Sequence, residues 1–152
     1  MKVEELLRSQ GIAYERREHP TAYTAQEVAA EEHVTGDAFA KPVVVKADGK
    51  SYLCVLPASR KIDMTRLAKM LDVDACQLAS EEEIATLFPD VEVGAEPPIG
   101  RMYGLPTVVD SSLAHREWIV FTADTHRQAI RMRYEDYARI AEPIVADFSV
   151  HL

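Results

Sequence analysis

A mixed α/β fold is what this sequence predicts, and three observations predict it. Residues 42–56 read as a β-hairpin: a β-branched apolar run, the turn pair Asp48-Gly49, then a second apolar run. Two helix starts carry capping boxes, Thr24 with Glu27 and Ser80 with Glu83. Strand-like and helix-like segments mix along the chain with no repeat, linker or low-complexity tract, so residues 1–152 read as one domain.

Taken in order, Val3 to Ser9 reads as a short helix closed by Gly11. "IAYERREHP" (12–20) reads as a strand that Pro20 stops, and "TAQEVAAEEHV" (24–34) as the first capped helix. Val43–Val45 and Tyr52–Leu56 form the hairpin. Asp63 is placed to cap "MTRLAKML" (64–71), whose Met64, Leu67, Ala68 and Leu71 share one helical face. "ACQLAS" reads as a short strand, and "SEEEIATLF" as a helix that Pro89 ends. Beyond a Gly/Pro loop, "LPTVVDSS", "EWIVFTAD" and "RQAIRM" read as strands, and "RYEDYARIAEP" as the last helix.

Hydrophobic residues make up 47% and charged residues 28%, a globular balance with no apolar run of membrane-spanning length. The first residues are charged and amphipathic rather than signal-like, and two cysteines are no disulfide framework, so a cytoplasmic location is expected. A net charge of −8 argues against nonspecific coating of nucleic acid, DNA included. It leaves room for local basic patches, and arginines do cluster at 127, 131 and 133 and, with Lys61, at 60 and 66.

Several chemistries can be set aside. No pair of the five histidines has H-x-x-x-H spacing and no C-x-x-C occurs, so neither a metal nor another cofactor is expected. Asp110, Ser111, Ser112 and His115 suggest a hydrolase, but there is no G-x-S-x-G elbow, and "VVDSSL" reads more simply as a strand end with a turn. Cys54 lies in an apolar strand pattern and reads as core, while Cys76 is left open. Two features remain. Lys41 stands before Pro42 at the mouth of the hairpin, where its amine could hold a phosphate or a carbonyl oxygen; a solvated lysine at a strand start is the plainer alternative. "EVGAEPPIG" (92–100) is a loop of glycines and prolines. It is either a rigid connection or a scaffold that presents main-chain N–H groups to a carbonyl.

The segments "HPTAYTAQEVA", "FAKPVVV", "FPDVEVGAEPPIG", "LPTVVDSSL" and "FTADTHRQAIRM", in this order, resemble the YbaK/prolyl-tRNA-synthetase-associated family of freestanding aminoacyl-tRNA deacylases. The resemblance implies a strongly curved, barrel-like sheet flanked by helices. It also implies hydrolysis of the ester joining a wrong, small amino acid such as alanine or cysteine to tRNA, notably tRNA for proline. Its partners would be the acceptor end of aminoacyl-tRNA and, as candidates, a synthetase or an elongation factor. Carried over, Lys41 would anchor the phosphate or ribose, and Gly94, Pro98 and Gly100 would cradle the aminoacyl carbonyl. Tyr23, Thr24, Asp110, Asp124 and His126 would line the pocket. Water would be activated with help from a tRNA hydroxyl. On this reading, Gly100→Val abolishes turnover and spares the fold. Two positions depart from the family's pattern: Ala95 stands where many members have a second glycine, and Asp124 where related members often have one. The alternative is a noncatalytic module that uses the same pocket to bind an aminoacyl end, an amino acid or a partner protein.

Overall fold

Strand alternation sorts the side chains of this protein into one central core and two outer ones. The computed structural model describes residues 2–20, 24–31 and 35–152. The hairpin consists of β2 (Ala40–Ala47) and β3 (Lys50–Pro57), joined through Asp48 and Gly49 at φ 49° and 76°. Such a turn matches the right-handed twist of its flanking strands. β2 also pairs with β5 (Cys76–Leu78). On the other side β3 pairs in parallel with β6 (Thr107–Asp110), and β6 with β9 (Ile144–Ala146). A second sheet has β8 (Thr125–Arg133) between β1 (Glu15–Glu18) and β7 (Trp118–Ala123), all antiparallel. β10 (Ser149–His151) pairs with β4 (Arg60–Ile62).

The two larger sheets meet where Phe39 bridges Val120 in parallel. They wrap one core. Ala40, Val44, Leu53, Val55 and Val109 of the first sheet share it with Ile119, Phe121, Ile130 and Met132 of the second. The sheet system is therefore curved around its contents, but it is not a closed barrel. Helices fill the ends. α1 (Lys2–Ser9) inserts Val3 and Leu7, one turn apart, and α6 (Tyr134–Ala141) inserts Tyr137 and Ile140. The opposite strand faces hold Leu67 of α3 (Met64–Met70) against Cys54 and Leu56, and Ala29 of α2 (Ala25–Glu31) against Phe39, Val120 and Ala129.

The caps expected at Asp63 and Ser80 form as read, and at Thr24 the first half of the expected box is present. Asp63 accepts from the Arg66 amide, Thr24 from the Glu27 amide, and Ser80 with Glu83 forms the reciprocal box of α4 (Glu81–Leu87). Three expectations needed correction. The strand read over 12–20 is confined to Glu15–Glu18, with Ile12 packed into the core before it. The turn read at 110–113 is a one-turn helix, α5 (Ser111–Ala114), because Asp110 caps it. β4, β9 and β10 were not anticipated. Each is three residues long and is held by pairing to distant chain, so it leaves no local period.

Candidate functional site

Lys41 sits at the second position of β2, opposite Leu56. Just before it, the Val120 N–H donates to the Ala38 carbonyl at 3.1 Å. β2 thus leaves the edge of β7 where Lys41 begins. The side chain is half-buried, and burial lowers its pKa. Among the described residues no hydrogen bond or ion pair engages its ammonium.

The Gly/Pro loop docks on the other end of the same strand. The Asp124 N–H donates to the Ala95 carbonyl at 3.0 Å, and the Glu92 N–H to the Asp124 carbonyl at 3.0 Å. The attachments at Val120 and Asp124 are four residues apart, about 13 Å at the usual strand rise. The segment that leads into Lys41 and the loop are therefore both anchored on β7.

Inside the loop, His126 acts as a pin. Its amide donates to Glu92 Oε2 at 3.0 Å and its Nε2 lies 2.8 Å from the Val93 carbonyl. Gly94 has φ 90°, and a Cβ there would stand 3.1 Å from the His126 ring. The Gly94 N–H donates to the buried Glu96 carboxylate at 2.7 Å. Burial pushes the Glu96 pKa up. The Pro98 carbonyl accepts from the Tyr137 hydroxyl. The Gly100 N–H donates to Thr107 Oγ1 at 2.8 Å.

These bonds take the two glycine amides of the loop out of the set of free main-chain donors. Gly94, Ala95 and Gly100 all donate within the protein, and Pro97 and Pro98 have no N–H. The loop is a stiff wall. Gly100→Val is not fold-neutral either. A Cβ at Gly100 would lie 2.5 Å from the Leu105 carbonyl oxygen and 2.7 Å from Thr107 Oγ1, so backbone must move.

The remaining predicted residues divide. Asp110 is buried and fully engaged: it accepts from the Ser112 amide and hydroxyl and from the amides of Phe148 and Ser149. It ties α5 to the C-terminal segment and has no free lone pair aimed at a pocket. The same bond removes the serine-nucleophile reading, since Ser112 donates directly to Asp110 with no histidine between them, and His115 is exposed. The Thr24 hydroxyl is engaged as a helix cap. Tyr23 lies outside the described residues. Asp124 is buried at the tip of the β7–β8 turn with φ 69°, and among the described residues its Oδ1 has no hydrogen-bond partner. Burial raises its pKa to about 6. Cys54 is core, its thiol pushed up to about 12 by burial and then by nearby Cys76; the Cys76 thiol is also raised by burial, so neither is a ready thiolate.

Sequence reasoning missed three residues around this site. Glu96 organises the loop, and Tyr137 holds it from α6. His19 is buried at the end of β1 with Nδ1 2.7 Å from the Pro20 carbonyl and Nε2 unpartnered. A histidine directly before a proline at a strand end was the available signal.

A family model described as the aminoacyl-tRNA editing domain matches residues 19–140, a span that holds Lys41, the loop and the β7–β8 turn. The chain belongs to that family. Among its relatives is the multifunctional Ser/Thr-tRNA deacylase ProXp-y of Escherichia coli (strain K12), 32% identical over 114 residues, 72% of this chain and 68% of that one. The proline–tRNA ligase of Nitratidesulfovibrio vulgaris (strain DP4) is 29% identical over 117 residues, 74% of this chain; the match spans only 20% of the ligase. Two crystal structures share the fold. One, of the hypothetical protein APE2540, has a TM-score of 0.89 at 22% identity and covers 99% of this chain and 100% of its own. The other, of a candidate trans-editing enzyme for prolyl tRNA synthetase, has a TM-score of 0.86 at 21% identity over 98% and 95%. Among the described residues no helix is long and apolar enough to cross a membrane.

Proposed function

We propose that residues 1–152 form one editing unit that works in trans, hydrolysing the ester of mischarged tRNA. The observation that carries this reading is Lys41: a half-buried ammonium, unengaged among the described residues, at the start of β2, whose preceding residues bond to β7, the strand whose far end holds the Gly/Pro wall. A buried cation without a carboxylate partner is costly to keep and suits an anionic ligand. A tRNA phosphate or the ribose end supplies one. The wall formed by Ala95 to Gly100 then limits the amino acid by size, because a pocket closed by backbone and proline rings yields little. Water adds to the ester carbonyl, the bond to the ribose oxygen breaks, that oxygen takes a proton from the water, and the free amino acid leaves. Positioning supplies much of the rate, since an amino acid ester is already labile.

The substrate we favour is tRNA for proline carrying a small non-cognate residue. Alanine and cysteine fit the narrow wall, and the Ser/Thr-tRNA deacylase among the relatives adds serine and threonine to the set to be tried. The test is direct. Purified protein is incubated with tRNA for proline charged with alanine, cysteine, serine or proline, and ester loss is followed beside Lys41→Ala. We expect loss from one small amino acid, reduced at least about a hundredfold in the variant. No loss from any charged tRNA, with the protein folded, overturns the deacylase and leaves a binding module.

A further inference from the structure

One face of the β1–β8–β7 sheet departs from the acidic character of the chain. Arg127, Arg131 and Arg133 occupy alternate positions of β8, and Ile130 and Met132 between them point into the central core. The three arginines therefore share the outer face. Trp118 pairs with Arg133 across β7 and β8, one step from Arg131. Both guanidinium groups lie over its ring, at 4.7 Å and 5.3 Å from the centroid. The ring is only partly buried.

Lys41 belongs to the same face. Phe39 packs there against Val120 and Ala129, and strand alternation sends Lys41 to that side two residues later. Helix α2 crosses between them, with Ala29 on Val120 and Ala129.

We propose that Trp118, Arg131 and Arg133 form a platform for RNA, which contacts the acceptor arm of tRNA while its charged end sits at Lys41. Planar guanidinium groups on an aromatic ring offer a base a stacking surface and offer phosphates fixed donors. Glu15, which stands opposite Arg131 across β1 and β8, is engaged by Arg17 at 3.0 Å. Arg133 reaches Glu117 and Glu135 only at 3.6 Å, in exposed pairs that add little stability and that phosphates can displace. With a net charge of −8, RNA needs a local basic surface, and the arginines of the chain's other basic cluster are tied to the C-terminal segment, Arg60 to Ser149 and Arg66 to Asp147 and Ser149.

The proposal rests on the tRNA reading above, but its test needs no hydrolysis. Trp118 is the only tryptophan in the chain, so its emission reports on the platform alone. Uncharged tRNA for proline is titrated at several salt concentrations. We expect saturable quenching with an affinity that falls steeply with salt. Arg131→Ala with Arg133→Ala should weaken binding at least about tenfold and lower the log–log salt slope by about 1 to 2. Arg131→Lys with Arg133→Lys keeps the charge and guards against misfolding; it should restore the slope and only part of the quench. Unchanged affinity and slope in the folded alanine variant overturns the platform, even if the wild type deacylates. Weakened binding in that variant supports the platform, even if no charged tRNA is hydrolysed.

Discussion

Two buried aspartates, both read from the sequence as pocket residues, turn out to be opposites. Asp110 is 1% exposed and Asp124 7% exposed, so burial by itself pushes both carboxyl pKa values upward. At Asp110, hydrogen bonds from the Ser112 hydroxyl and from the Phe148, Ser149 and Ser112 amides outweigh that burial and hold the pKa below the usual value. At Asp124, no hydrogen bond reaches Oδ1 among the described residues, and desolvation wins: the N-terminal amino group and Lys2 pull the pKa down, Asp90 and Glu4 push it up, and it climbs to about 6. Equal burial with opposite shifts shows that what decides the charge is the supply of donors. Asp110 is a structural joint. Asp124 is a group held in reserve beside the loop, which a ligand's cation or hydrogen-bond donor could satisfy.

The largest effect should come from breaking the joint. Asp110→Ala uncaps α5 and leaves the buried amides of Phe148 and Ser149 without an acceptor. Each unsatisfied donor costs about 1–3 kcal/mol, so the loss should be on the order of 3–5 kcal/mol in urea denaturation at pH 7. A loss under about 1 kcal/mol would mean that the C-terminal segment is held some other way.

That joint also shows what the sequence could and could not disclose. The hairpin, the capped helices and the core faces were legible because they are local: β-branched runs, Asp48-Gly49, Ser80 with Glu83. Lys41 and the loop were legible as candidates, and only the fold could tie the segment before Lys41 and the loop to opposite ends of β7. The roles of Asp110 and Asp124 were not legible. One is set by amides 38 and 39 residues away, the other by the lack of any such amide. Likewise the donors of the loop looked free because Thr107 and Glu96 claim them only after folding.

Next in size is the acid–stability profile, where the two aspartates bend the curve in opposite directions. Asp124 has a folded pKa of about 6, above its unfolded value of about 3.9. Its contribution is fully present below about pH 4 and is lost as pH rises through 6. Asp110 has a lowered folded pKa, so its contribution is present above about pH 4 and is lost as pH falls through that lower value. Asp124→Asn should therefore match the wild type near pH 4 and exceed it in stability near pH 8. Asp110→Asn should lose stability at pH 7 and show a shallower decline below pH 4. Parallel profiles for wild type and Asp124→Asn between pH 4 and 8 would show that Asp124 is already paired in solution.

The smallest effect separates the backbone of Asp124 from its charge. Its φ of 69° is a conformation that costs an ordinary side chain about 1–2 kcal/mol and an aspartate less. Glycine removes that strain, yet it gives the unfolded chain about 0.5–1 kcal/mol more to lose. The two nearly cancel, so Asp124→Gly should lie within about 1 kcal/mol of Asp124→Asn. Neither replacement titrates, so the gap should be the same at pH 4 and pH 8. A gap of several kcal/mol in favour of asparagine would show that its amide finds a buried partner. The unpartnered Oδ1 would then reflect the wrong polarity of a carboxylate at that spot rather than a lack of neighbours, and a donor-bearing side chain, not a bound ligand, would complete the site.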